Sequence, residues 1–208
     1  ADVQPNYEGL ARLKEEVGER ALIVGTASMG ASAMHHILHE LMPYELFFFE
    51  YHDHSKELER LAERMTPYIN KVIEVAIGSP ADIIQSGTNY DVQMTWPPFF
   101  KKHILPSVAA TADRCHAAGK FLLNHTDGEN KGLLPYFVAG KIDIADAVCP
   151  APMTSLTLRE IREAFAGKIT IWGGIPSVSV LENSMNDYEF NAYLDDLFVQ
   201  IGAGDHMI

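Results

Sequence analysis

The residues best suited to chemistry fall in LLNHTDGENKGLLPYF, where His125, Asp127, Gly128, Glu129 and Asn130 follow directly on a short apolar run. A buried strand that ends in this way delivers polar side chains to one spot. An imidazole beside carboxylates suits a divalent metal. The same residues also suit a turn in which the aspartate accepts backbone N–H groups. Other reactive types stand just after apolar runs. Thr26, Ser28 and Met29 follow ALIVGT, with His35 and His36 soon after, and Asn89, Tyr90 and Asp91 follow DIIQS. Cys149 follows IDIADAV, and Gly173, Gly174 and Ser177 follow ITIW.

The elements that must position these groups alternate. Near-continuous apolar runs at 21–26, 82–86, 120–125, 142–148 and 169–172, with another beginning at 206–208, read as strands covered on both faces. Amphipathic stretches at 7–20, 31–42, 44–51, 55–76, 98–118, 132–139, 156–166 and 187–201 read as helices. Ser55 suits an N-cap, as does Thr154 or Ser155 before LTLRE, and Gly119 and Gly167 suit C-terminal positions. Phe47 to Tyr51 (FFFEY) at helical spacing reads as buried packing. With no linker or repeat, the pattern is one domain over residues 1–208.

Such β–α alternation builds either an open doubly wound sheet or a (β/α)8 TIM barrel. GTASMG does not match the glycine pattern of a dinucleotide loop, which favours the barrel, with roughly strands three to eight present. The chain opens on Ala1 and stops in an apolar run, so both ends are expected to be cut. In a barrel the C-terminal strand ends carry the site. Neighbouring strands lie about 4.8 Å apart, so Asp91, His125, Asp127 and Cys149 would approach one rim, a donor set suited to zinc. Cys149 reads equally as a small hydrophobe. His35, His36, His39, His52 and His54 read as a solvated stripe or a second metal site. Gly173 and Gly174 form either a tight turn or a nest of free N–H groups for an anion, and Trp172 is expected to pack in the barrel wall.

The totals exclude several classes. The 208 residues are 47% hydrophobic, enough for a sizeable core. A net charge of -12 without a basic cluster argues against nucleic acid and anionic membranes as partners. Two cysteines, Cys115 and Cys149, fit a reducing cytoplasm, and no apolar run is long enough to span a membrane.

The segment HTDGENKGLLPYFVAGKIDIADAVCPAPMTSLTLREIREAFAGKITIWGGIPS, from His125 to Ser177, resembles the uroporphyrinogen decarboxylase family, which includes corrinoid-dependent methyltransferases. The shared layout runs from a strand ending in a polar-glycine turn, through an LLPYF helix, to a strand closing on WGG. The resemblance implies a (β/α)8 barrel. In the methyltransferase branch H-T-D-G stands where H-x-C-G is common, so His125 matches a zinc ligand and Asp127 replaces a cysteine. An oxygen in place of sulfur would make the zinc harder and more Lewis acidic. In the decarboxylase branch Asp127 and Gly128 match the Asp-Gly turn, while the expected tyrosine near residues 34–36 is absent.

These readings lead to a methyltransferase acting between a small methylated substrate or thiol and a corrinoid held by a partner protein. The expected catalytic residues are Asp127, His125 and Tyr90. Asn89, Asn130, Gly173, Gly174 and His35 are expected to bind substrate, and His125, Asp127, Cys149 and Asp91 to bind zinc. The alternatives are a metal-free decarboxylase of a tetrapyrrole or other polycarboxylate, with Asp127 orienting pyrrole N–H groups, and a non-catalytic ligand-binding barrel.

Overall fold

The computed structural model describes residues 3–27 and 30–208. Ser28 and Met29 lie outside the described residues. Helix α1 (Glu8–Val17) precedes β1 (Val24–Thr26). Helix α2 (Ala33–His36), capped by Ser32, runs into a π turn at Ile37–Leu41. Then come α3 (Tyr44–Ile77), β2 (Ile83–Ser86), α4 (Pro97–Phe99), a π turn at Phe100–Ile104, α5 (Leu105–Ala117) and β3 (Phe121–His125). The chain continues through α6 (Leu134–Ala139), β4 (Ile144–Val148), α7 (Leu158–Phe165), β5 (Thr170–Gly173) and α8 (Asp187–Ile201).

All five strands are parallel, in the order β1-β2-β3-β4-β5. A doubly wound sheet reverses its order once, and this one does not. The sequential order is that of consecutive barrel strands, but β1 and β5 form the two edges and these strands do not close a ring. Beyond β5 a parallel bridge joins Ile171 to Met207, where a sixth strand was expected.

The period-2 alternation of each strand sorts its side chains between two faces. On one, Ile23, Ile84, Leu122, Ala145 and Ile171 join the main core with the helices. On the other, Val24, Ile83, Leu123 and Ile144 pack on one another. Each fully buried aliphatic side chain of this kind contributes about 1.5–3 kcal/mol. Towards the C-terminal strand ends that second face turns polar, with Gln85, His125 and Asp146.

Two aspartates clamp the opposite end of the sheet. Asp82 accepts Ile23 N–H at 2.8 Å and pairs with Lys14, and Asp143 accepts Leu122 N–H at 2.7 Å and meets His116 Nε2 at 2.8 Å.

Several local expectations change under tertiary packing. The expected helices at 44–51 and 55–76 meet as two helices across a kink inside the 34-residue span, where His54 leaves the helical region at φ -134 and ψ 36. Phe47 and Tyr51 pack against Phe99, and Leu58, Ala62, Ile69 and Ile73 are buried further along, so both helices are pinned, and Ser55 follows the kink as the first residue of the second. Phe49 is 71% exposed, so FFFEY is only partly packing. The cap of α7 is Thr157, which exchanges hydrogen bonds with Glu160, and neither Thr154 nor Ser155 serves. Trp172 is 38% exposed rather than packed in a wall. Among the described residues no helix is long and apolar enough to cross a membrane.

Candidate functional site at the strand ends

His125, the last residue of β3, lies opposite Asp146 of β4 in the parallel register. Both side chains project from the helix-free face, and His125 Nδ1 meets Asp146 Oδ2 at 2.8 Å. The side chains are 30% and 24% exposed. The carboxylate fixes the ring so that Nδ1 carries the proton, and Nε2 has no hydrogen-bond partner among the described residues. The same ring lines a cavity of about 340 Å³ at the ends of β1, β2 and β3. Its other walls include His36, Glu40, Gln85, Thr88 and Asn89.

Asp127 lies beyond β3 and is approached by two donors, Asn89 Nδ2 and Cys149 Sγ, each at 3.4 Å. Cys149 reaches it because β4 carries a bulge. Asp146 pairs with Trp172, Val148 with Gly173, and Ala147 between them adopts φ 57. The extra residue turns Val148 into the core, 3% exposed, and returns Cys149 to the side of Asp127. Burial first, and then the Asp127 charge, raise the Cys149 thiol to about 11, so it is protonated at neutral pH.

The loops after β2 and β3 are sewn together by backbone hydrogen bonds, Tyr90 N–H to the Asp127 carbonyl and Val92 N–H to the Glu129 carbonyl, each at 2.8 Å. Gly128 adopts φ +114 and presses its α-carbon hydrogens on the Asp91 backbone, where a β-carbon would lie 3.2 Å from Asp91 N and Cα.

Of the expected site residues, the structure brings Asn89, Asp127 and Cys149 together and sets His125 on the neighbouring cavity. Asp91 is turned away, accepting Gln93 N–H at 2.8 Å and Glu129 N–H at 3.3 Å. Among the described residues no group of three or more His, Cys, Asp or Glu side chains is placed to hold a metal ion. The four-ligand zinc set is therefore not assembled, although a carboxylate on the far nitrogen of His125 is the support a metal-binding histidine usually has.

Tyr90, expected to be catalytic, is fully buried and donates its hydroxyl to Asn124 Oδ1 at 3.0 Å. Burial drives its pKa far above the usual phenol range. Asn130 is spent on the Tyr90 carbonyl at 2.6 Å. His35 is fully buried, with its ring stacked on Tyr90 at a centroid distance of 5.0 Å. These three side chains are buried and held by interior hydrogen bonds or stacking. Gly173 N–H donates to the Ile208 carbonyl at 3.2 Å and Gly174 N–H to the Val148 carbonyl at 2.9 Å, so of the two readings offered there the nest of free N–H groups is not formed.

Asp146, Glu40 and Gln85 were not singled out in the sequence, and His36 was read there only as part of a histidine stripe or second metal site. Period-2 counting along LLNH and IADA pairs His125 with Asp146 on one face, a signal present but masked by the apolar run around Asp146.

The fold and site define a parallel α/β protein with a polar cluster at the C-terminal strand ends. No protein-family model matches the chain, and no curated protein matches it. Among solved structures it is similar to a methyltransferase from Methanosarcina mazei, with a TM-score of 0.60 at 14% identity. The match covers 80% of this chain and 47% of that one, so the chain spans just under half the length of its structural relative. That likeness is one of fold.

Proposed function

We propose that the chain contributes consecutive strands of a (β/α)8 barrel enzyme that moves a methyl group between a small substrate and a corrinoid carried by a partner protein. The observation that carries this reading is the His125–Asp146 pair beside an open polar cavity, set in a fold like that of a methyltransferase. The HTDG turn and its resemblance to the corrinoid-dependent branch point the same way.

The pair supplies proton handling. Were a thiol to take the methyl group from a partner-held corrinoid, the S–C bond would form as the methyl–cobalt bond breaks with its electron pair left on cobalt, and the S–H proton would leave. His125 Nε2 is the open base, and Asp146 on Nδ1 stabilises the imidazolium that results. When an ether or amine gives up its methyl group, the same imidazolium returns a proton to the leaving oxygen or nitrogen. Cys149 and Asp127 shape the rim of the site, with Asp127 held by Asn89 and the protonated thiol.

The test is transfer from methylcobalamin to a small thiol by the full chain, followed by the loss of methyl–cobalt absorbance, with bound zinc measured on the same samples. His125→Ala is expected to lower the rate about 100-fold and Asp146→Asn about 10- to 100-fold, with folding intact. Unchanged rates in both variants would sink the proton-handling role. About one zinc per chain, lost in His125→Ala and Asp127→Ala, would recast those residues as ligands. Release of carbon dioxide from a tetrapyrrole polycarboxylate, without methyl transfer, would give the site to decarboxylation instead.

A further inference from the structure

The charge and hydrogen-bonding character of the cavity at the ends of β1–β3 specify the kind of molecule it holds. Among the described residues its walls carry no lysine or arginine. Glu40 is the one Asp or Glu side chain among them, and the remainder are glycine, amide, hydroxyl and imidazole groups. Of the two imidazoles, His125 is already paired with the Asp146 carboxylate. His36 is different. Its Nδ1 is buried without a partner, and neither ring nitrogen is hydrogen-bonded to another described residue. Nε2 is therefore the nitrogen left open on a cavity wall. Gln85, Thr88 and Asn89 add neutral groups around it.

A carboxylate or phosphate entering this space would lose its water without meeting a fixed positive charge, and burying an unpaired ion is strongly unfavourable. Glu40 at the rim and the chain's net charge of -12 oppose an anion further. A cation pays the same desolvation cost but meets the Glu40 carboxylate as a counter-charge, and a neutral polar molecule buries no charge. At about 340 Å³ the cavity lies near the lower end of small-molecule sites.

We infer that this cavity selects a small neutral or cationic substrate with a hydrogen-bonding end, that His36 is the residue which binds that end, and that carboxylates are rejected. The inference deepens the methyl-transfer reading and rests on it for the identity of the site. It adds a substrate class and a specificity residue, His36, next to the buried His35 that the sequence favoured.

The experiment is calorimetric titration of the full chain at pH 8, which favours neutral imidazole, with three probes that share a trimethyl head. Choline is cationic, 3,3-dimethylbutan-1-ol is its neutral carbon counterpart, and 3,3-dimethylbutanoate is anionic. Choline and the alcohol are expected to bind, with the butanoate at least about 10-fold weaker. Glu40→Gln should weaken choline by about two- to five-fold, as an exposed charge does, and leave the alcohol unchanged. His36→Phe should weaken both hydroxyl probes by roughly five- to ten-fold. Equal or tighter binding of the butanoate, no binding by any of the three, or unchanged affinities in both variants would overturn the inference. Loss of the methyl-transfer reading with this ranking intact would remove the activity and leave the charge preference standing.

Discussion

His35 shows how a residue that looks reactive in the sequence becomes a stability element. Burial, then the neighbouring His39, lower its pKa to about 3, opposed by the Asn89 carbonyl, while His36 adds to the lowering. The folded pKa thus lies below the unfolded value of about 6.5. As pH falls through that window the unfolded chain takes up the proton first, so folding stability drops with falling pH and is fully present above it. Denaturant unfolding between pH 7 and 5 should show His35→Phe losing a pH dependence of the order of 1 kcal/mol per pH unit that the parent protein has. An identical slope in both would place the charge-sensitive group elsewhere. His125, Asp127 and Asn89 were legible as site residues because they follow strands directly. Asp146 and Glu40 were not, and His36 was legible only as part of a histidine stripe, because their roles depend on which neighbour the register and the α2 turn place opposite them.

At the scale of the element, two backbone positions decide what the strand ends present. Gly128 holds φ +114 against the Asp91 backbone, and Ala147 holds φ 57 inside the β4 bulge. Gly128→Ala should therefore cost about 1–3 kcal/mol in unfolding free energy. Ala147→Gly should be neutral or stabilising by up to about 1 kcal/mol, because relief of the left-handed strain offsets the added chain entropy. The opposite ranking in thermal or denaturant melts would show that the bulge is not strained. Apolar periodicity located most helices and all five strands. It did not show the bulge, since IADAV reads as regular alternation, although it did separate 44–51 from 55–76, which meet at the His54 kink.

For the whole molecule, the sequential parallel sheet was readable from the β–α alternation and the missing dinucleotide loop, whereas closure into a barrel cannot be read from five strands. The sheet has a graded interior. Strand β3 is flanked on both sides, β1 has one partner, and the segment after α8 is joined by the bridge at Met207. Hydrogen exchange should find the amides of Leu122 and Leu123 slowest, and those of β1 and of Met207–Ile208 much faster. Uniform protection across the strands would contradict this gradient. The irregular pairing in β4 also matters to anyone redesigning the protein. A mutant library aimed at the mouth and built by stepping in twos from Ile144 would vary Asp146 and then Val148, which is a core residue, and would never sample Cys149. Stepping from 146 directly to 149 keeps the core intact and puts the diversity where a ligand could meet it.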